Sequence, residues 1–226
     1  MIRKLLKLFA LATVAAVTPA QAVLIGGVEF PQGMASFADS VVSYAPGPTA
    51  PTAPHQGAFN ALGAPNYNGV NSCASQAACT FVSLGDGGSI VLRFDDNRLT
   101  GSGSSAADLW IFEIGPQVEA MFVDISMDGV NWQEVGRVGG STAGVDIDAY
   151  GFGLLHQFAF VRLTDDPDAD GQTGITVGAD IDALGAISTV AVIPEPQNYA
   201  LLLAGLGLMG FVARRRHATS TATARR

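Results

Sequence analysis

Val123-Asp124-Ile125-Ser126-Met127-Asp128-Gly129-Val130-Asn131-Trp132-Gln133-Glu134-Val135-Gly136 reads as two alternating strands joined by a tight turn. Asp128-Gly129 supplies the positive-φ backbone position that the reversal needs, and Trp132 is expected to anchor the second strand as a large apolar side chain. The same two-residue period recurs outward from this hairpin. Ile90, Leu92 and Phe94 alternate with Ser89, Val91 and Arg93, and Trp110, Phe112 and Ile114 repeat the pattern, which predicts one well-buried face for each strand. Further strands are expected over 23–30, 36–44, 120–126, 132–138, 158–164 and 181–187, all short, rich in Val, Ile, Phe and Trp, and separated by Gly, Asp, Asn and Pro. No stretch between 23 and 193 holds a helical period. The fold class that follows is all-β: an antiparallel β-sandwich or jelly roll.

Both ends of the chain lie outside that pattern. Arg3, Lys4 and Lys7, the apolar run Leu8 to Val17, and Thr18-Pro19-Ala20-Gln21-Ala22 make a secretory signal over 1–22, so the exported chain is expected to begin at Val23. At the other end Pro194-Glu195-Pro196 precedes fifteen uncharged, mostly apolar residues (199–213) and then Arg214-Arg215-Arg216. Fifteen residues at 1.5 Å each cover about 22 Å, short of the roughly 30 Å hydrocarbon core, which predicts a marginal, easily released transmembrane helix. The three arginines are a cytoplasmic stop. Gly205-Leu-Gly207-Leu-Met-Gly210 matches a dinucleotide fingerprint only formally, because no strand precedes it.

The order triplet, apolar segment, basic stop over 194–226 closely resembles the PEP-CTERM sorting signal. That resemblance implies a Gram-negative envelope protein, held in the inner membrane by its tail and processed near the triplet by an exosortase-type enzyme. It also implies a final address at the cell surface or in the extracellular matrix, among exopolysaccharide or biofilm.

Between 23 and 193, four arginines and no lysine stand against nineteen carboxylates, a formal −15. Such a domain repels nucleic acid and anionic lipid and suits divalent cations or a solvated acidic surface. Cys73 and Cys79 close a short loop and, in an exported chain, read as a disulfide. They lie in a long irregular region, 44–80, whose proline-rich start Pro46 to Pro54 predicts a stiff loop. This region is expected to cover one end of the sandwich, with Tyr67 lining a pocket there.

A second resemblance runs over 58–188. Ala61-Leu-Gly-Ala-Pro-Asn66, Gly88-Ser-Ile-Val-Leu-Arg-Phe94, Asp108-Leu-Trp-Ile-Phe-Glu113, the 123–136 hairpin and Gly178-Ala-Asp180-Ile-Asp182-Ala-Leu-Gly185 are similar to the discoidin-like, galactose-binding-like jelly roll. It implies a fold, and loops at one end that take carbohydrate.

The densest cluster of candidate ligands is Asp165-Asp166-Pro167-Asp168-Ala169-Asp170-Gly171-Gln172. Counted from Asp166 it follows D-x-D-x-D-G, with oxygen ligands at positions one, three and five and a glycine for the bend a calcium loop needs. Val177 stands where an EF-hand carries its bidentate Glu. The expected Ca²⁺ set is therefore Asp166, Asp168, Asp170 and the Gln172 carbonyl, completed by Asp180 or Asp182. Asp146 and Asp148 read as a solvated acidic face, and Asp95-Asp96-Asn97 as a turn. His55 and His156 neighbour no serine elbow, so no acyl-transfer triad is expected, and a zinc site lacks ligands. The chain thus reads as a non-enzymatic, calcium-stabilised surface module with carbohydrate-binding loops. Two alternatives stay open: a polysaccharide hydrolase using paired carboxylates among Glu113, Glu119 and Glu134, and a matrix protein that binds only calcium and itself.

Overall fold

The computed structural model describes residues 21–115, 118–169, 173–191 and 201–211. Its strands in chain order are β1 (Val23–Ile25), β2 (Val28–Phe30), β3 (Ser40–Ala45), β4 (Val82–Ser83), β5 (Ser89–Arg93), β6 (Asn97–Leu99), β7 (Leu109–Glu113), β8 (Ala120–Ser126), β9 (Trp132–Gly139), β10 (Thr142–Val145), β11 (Phe160–Asp165), β12 (Asp180–Ala186) and β13 (Thr189–Ala191). All pairings are antiparallel. A five-stranded sheet runs β3-β5-β11-β8-β9, a four-stranded sheet runs β10-β7-β12-β4, and two ribbons, β1-β2 and β13-β6, flank them.

The two larger sheets enclose the main core. Ile90 and Leu92 of β5, Val161 and Leu163 of β11, and Met121, Val123 and Ile125 of β8 meet Leu109 and Ile111 of β7 and Ile181 and Leu184 of β12. Each such side chain taken fully out of water contributes about 1.5–3 kcal/mol before the entropy of ordering is charged against it. The all-β sandwich expected from the alternation is the fold found.

Three local readings are corrected. Residues 23–30 form a hairpin, not one strand: Gly26 and Gly27 take φ of 57° and 82°, the pair of left-handed positions that a two-residue turn requires, and Ile25 then faces Val28. Trp110 and Phe112 point away from the main core, where Leu109 and Ile111 lie instead. That outer face is buried as well, because the β1-β2 hairpin and the Gly33–Ser36 turn lay Phe30 and Phe37 against Phe112, with ring centres 6.1 and 6.4 Å away. Trp132 is half-buried on the outer face of the five-stranded sheet, where the Arg162 guanidinium stacks 4.6 Å above its ring.

The signal segment 1–20, the triplet Pro194-Glu195-Pro196 and the stop Arg214 to Arg216 lie outside the described residues. Residues 201–211 are helical and exposed all round, with Leu201, Leu202, Leu203, Leu206 and Leu208 bare. Eleven residues rise about 16 Å. Among the described residues no helix is long and apolar enough to cross a membrane.

Candidate functional site

Antiparallel pairing sorts the loops to two ends. β3, β7 and β11 finish at one end, where β5 and β12 start; the Pro-rich loop, the β4–β5 loop and the segment 165–169 all leave from here. Backbone bonds from Gly47 to Leu84, from Asp86 to Thr49 and from Thr52 to Ile175 hold the Pro-rich loop against its neighbours.

This end also gathers buried acid. Glu113 and Asp165 end β7 and β11 and Asp180 begins β12, all with side chains shielded from solvent, and Glu119 beside them is nearly as buried. Asp165 is fully satisfied by the backbone: Oδ1 accepts the Ala179 amide at 2.8 Å and Oδ2 the Gly87 amide at 2.9 Å. Asp180 accepts the Ser83 hydroxyl, and Tyr44 donates to the Ser83 carbonyl at 2.7 Å. Burial, then the Glu119 and Asp165 charges, push the Asp180 carboxyl up to about 7 despite the Ser83 hydrogen bond. Burial and the Asp180 charge raise the Tyr44 phenol to about 12. Glu113 is driven well above neutral, first by burial and then by the Glu119 carboxyl, so it carries a proton at pH 7.

The expected calcium ligands fare differently from one another. Asp166 is buried and committed: Oδ2 receives the Arg137 guanidinium and Oδ1 the Asp168 amide at 3.0 Å, which hold its carboxyl below the usual range. Asp168 is exposed, and Asp170 and Gln172 lie outside the described residues. Asp180 and Asp182, expected to complete the set, are not spare. Asp180 is turned inward to Ser83, and Asp182 accepts the Asn66 and Tyr67 amides at 3.0 and 3.1 Å, pinning the 61–71 segment to β12.

Of the three glutamates weighed for catalysis, Glu113 and Glu119 do meet, but Glu134 is exposed on β9 opposite Asp124, away from both. In the 44–80 region Tyr67 is half-buried. Its ring packs edge-on to Phe81, 6.1 Å between centres, in a small core with Ile114 and the Cys73–Cys79 disulfide, and its hydroxyl meets the Asn71 side chain. His55 beside that bridge is buried and used at both nitrogens. Nε2 donates to the Asn71 carbonyl at 2.9 Å, which leaves Nδ1 to accept the Thr52 hydroxyl at 2.7 Å. Its proximity to two oxidised sulfurs makes no metal centre.

At the opposite end a cleft of about 340 Å³ opens between the β8–β9 turn and the 148–158 loop. Phe152 and Phe158 form its floor, 5.2 Å apart edge to face, and Asp128, Asn131 and Gln133 rim it. Asp128 is held by the Val130 and Asn131 amides, which keep its carboxyl strongly ionised and fix the turn. This cleft was not legible in the sequence, because its two walls lie some twenty residues apart and the 123–136 hairpin signals only a turn.

The acidic pair read as a solvated face belongs to this end: Asp146 and Asp148 are half-exposed and converge with buried Asp108, one carboxylate oxygen of each lying within 4.8 Å of the others. Burial raises the Asp108 carboxyl, against the Ile147 amide and nearby serines.

No curated protein matches the chain. Among solved structures, the C-terminal domain of a chitobiase from Bacteroides fragilis is similar over 46% of this chain, with 16% identity and a TM-score of 0.30; the match spans 64% of that domain's length. The tail carries the firmest relationship. Residues 192–216 match the family described as the PEP-CTERM protein-sorting motif, which implies export, a C-terminal membrane anchor before processing, and processing by an exosortase-type enzyme.

Proposed function

We propose that the chain is a non-catalytic module of the Gram-negative cell surface or extracellular matrix, which binds exopolysaccharide through the cleft between residues 127–133 and 152–158. The observation that carries this reading is the sorting motif joined to a sandwich whose one adjacent glutamate pair is sealed. A glycosidase needs two carboxyls that reach the glycosidic oxygen and the anomeric carbon. Glu113 and Glu119 are 0% and 4% exposed, so neither reaches a polymer. The cleft offers what a sugar uses instead: the half-exposed Phe152 ring for its C–H face and amide side chains, Asn131 and Gln133, for its hydroxyls.

The test is made in a host with and without its exosortase-type enzyme. The full-length chain is expected to lose its tail only when that enzyme is present, and to keep it when Pro194, Glu195 and Pro196 are changed to alanine. The released protein should then co-sediment with the host exopolysaccharide, and Asn131→Ala with Gln133→Ala should weaken this at least tenfold. Unchanged binding by that double variant sinks the cleft assignment. New reducing ends appearing in the polymer sink the non-catalytic reading.

A further inference from the structure

Register brings the three aspartates of the cleft end together. Leu109 of β7 faces Val145 of β10, so the residue before β7, Asp108, sits beside the residue after β10, Asp146, and the turn at Asp148–Tyr150 returns a third carboxylate. Asp108 is fully buried. Its Oδ2 accepts the Ile147 amide at 3.0 Å, while Oδ1, equally shielded from water, has no hydrogen-bond partner. A buried carboxylate oxygen left in that state is costly unless something positive meets it. No arginine among the described residues does: Arg93 pairs with Asp95, Arg137 with Asp166 and Arg162 with Asp124, and Arg98 donates to the Phe94 and Asn97 carbonyls.

We infer that Asp108, Asp146 and Asp148 form a divalent-cation site, and that its chemistry suits calcium. Calcium–oxygen contacts of about 2.3–2.6 Å allow two ligands of one ion to stand at most about 5 Å apart, and the three carboxylate oxygens fall inside that limit. The Ser102 hydroxyl, 3.4 Å from Asp148 Oδ2, adds an uncharged oxygen. Gly101 packs against the Phe152 carbonyl and the Asp148 carboxylate, where a Cβ would fall 2.1 Å from the former and 2.8 Å from both oxygens of the latter. An all-oxygen, mixed-charge and irregular set is what calcium accepts and the smaller, octahedral magnesium does not. Bound there, the ion ties the 101–104 and 146–152 loops to the start of β7. The site is separate from the aspartate run at 165–170, which leaves the other end of the sandwich.

The full-length chain, purified in detergent, is melted with excess chelator, with calcium and with magnesium. Free calcium about a hundredfold over Kd should raise the midpoint by about 5–10 °C for a domain of this size. Magnesium should give a markedly smaller rise. Asp146→Asn with Asp148→Asn should abolish the calcium shift, and Asp168→Asn should leave it intact. Because both replaced side chains are half-exposed, the chelated midpoint should change little; if the double variant does not fold, Asp146→Asn alone must weaken calcium at least tenfold in a calorimetric titration. No calcium shift in the wild type, a shift that survives these changes, or one lost instead in Asp168→Asn would overturn the site.

Discussion

Replacing Asp180 by asparagine probes the buried acidic end directly. The carboxyl is 3% exposed and titrates at about 7, raised by burial and by the Glu119 and Asp165 charges; in the unfolded chain it returns to about 3.8. The folded state therefore keeps a proton that the unfolded state releases, and stability falls as pH rises from about 4 to about 7. Three units at about 1.36 kcal/mol each set an upper bound of roughly 4 kcal/mol, shared with the neighbouring carboxyls. Glu113, which also keeps its proton above neutral, extends the decline past pH 7. Asp128 and Asp166 act in the opposite sense, but only below about pH 4, where these carboxyls take up protons in the unfolded chain while the folded state still holds them ionised. An asparagine at 180 can still accept the Ser83 hydroxyl and cannot ionise. Urea unfolding at pH 5 and pH 8 should show the wild type losing stability over that interval. The variant should lose at least about 1 kcal/mol less and exceed the wild type at pH 8. A variant less stable than the wild type at pH 8, with the same pH slope, would refute the assignment of the buried charge to Asp180.

Three further outcomes follow from packing. Removing the Cys73–Cys79 bridge by alanine at both positions should cost about 2 kcal/mol in urea unfolding, the loop-closure value for so short a ring, and a reductant should reproduce it in the wild type. Gly185→Ala should destabilise by about 1–3 kcal/mol, because its Cβ would fall 2.6 Å from the Phe30 ring and 2.9 Å from the Phe37 ring, neither with room to retreat. Arg162→Ala loses the Trp132 stack and the Asp124 ion pair, about 0.5–1 kcal/mol in thermal or urea unfolding, and the part due to the ion pair should fade in high salt.

Which parts of this were legible follows from how far apart the cooperating residues lie in the chain. β5, β8 and β9 were readable because each strand declares its own period, and the 128–129 turn is encoded locally. β4, β6, β10 and β13 are two to four residues long, too short for any period to register. The reversal of β7 had a different cause: alternation says that two faces differ, but not which one meets the larger core, and Trp110 and Phe112 are apolar because a hairpin eighty residues upstream covers them. The aspartate run drew notice because it is contiguous. Asp108 was passed over and Asp146 was read as a solvated face, because only the pairing of Leu109 with Val145 makes them neighbours.

The same accounting explains why the two acidic ends need different remedies. Four arginines cannot neutralise nineteen carboxylates, and three of the four are spent in ion pairs with Asp95, Asp124 and Asp166. Where β7 ends at Glu113 and β12 begins at Asp180, the carboxyls are sealed from water and the counter-charge is a proton. Where Asp108 meets Asp146 and Asp148, two of the three side chains are half-exposed, so the pair stays open to water and to any cation dissolved in it. Acidification should therefore stabilise the first end. A chain melted in chelator at pH 5 should gain stability over one melted at pH 7.5, and a loss of stability over that interval would contradict the sealing of Glu113 and Asp180.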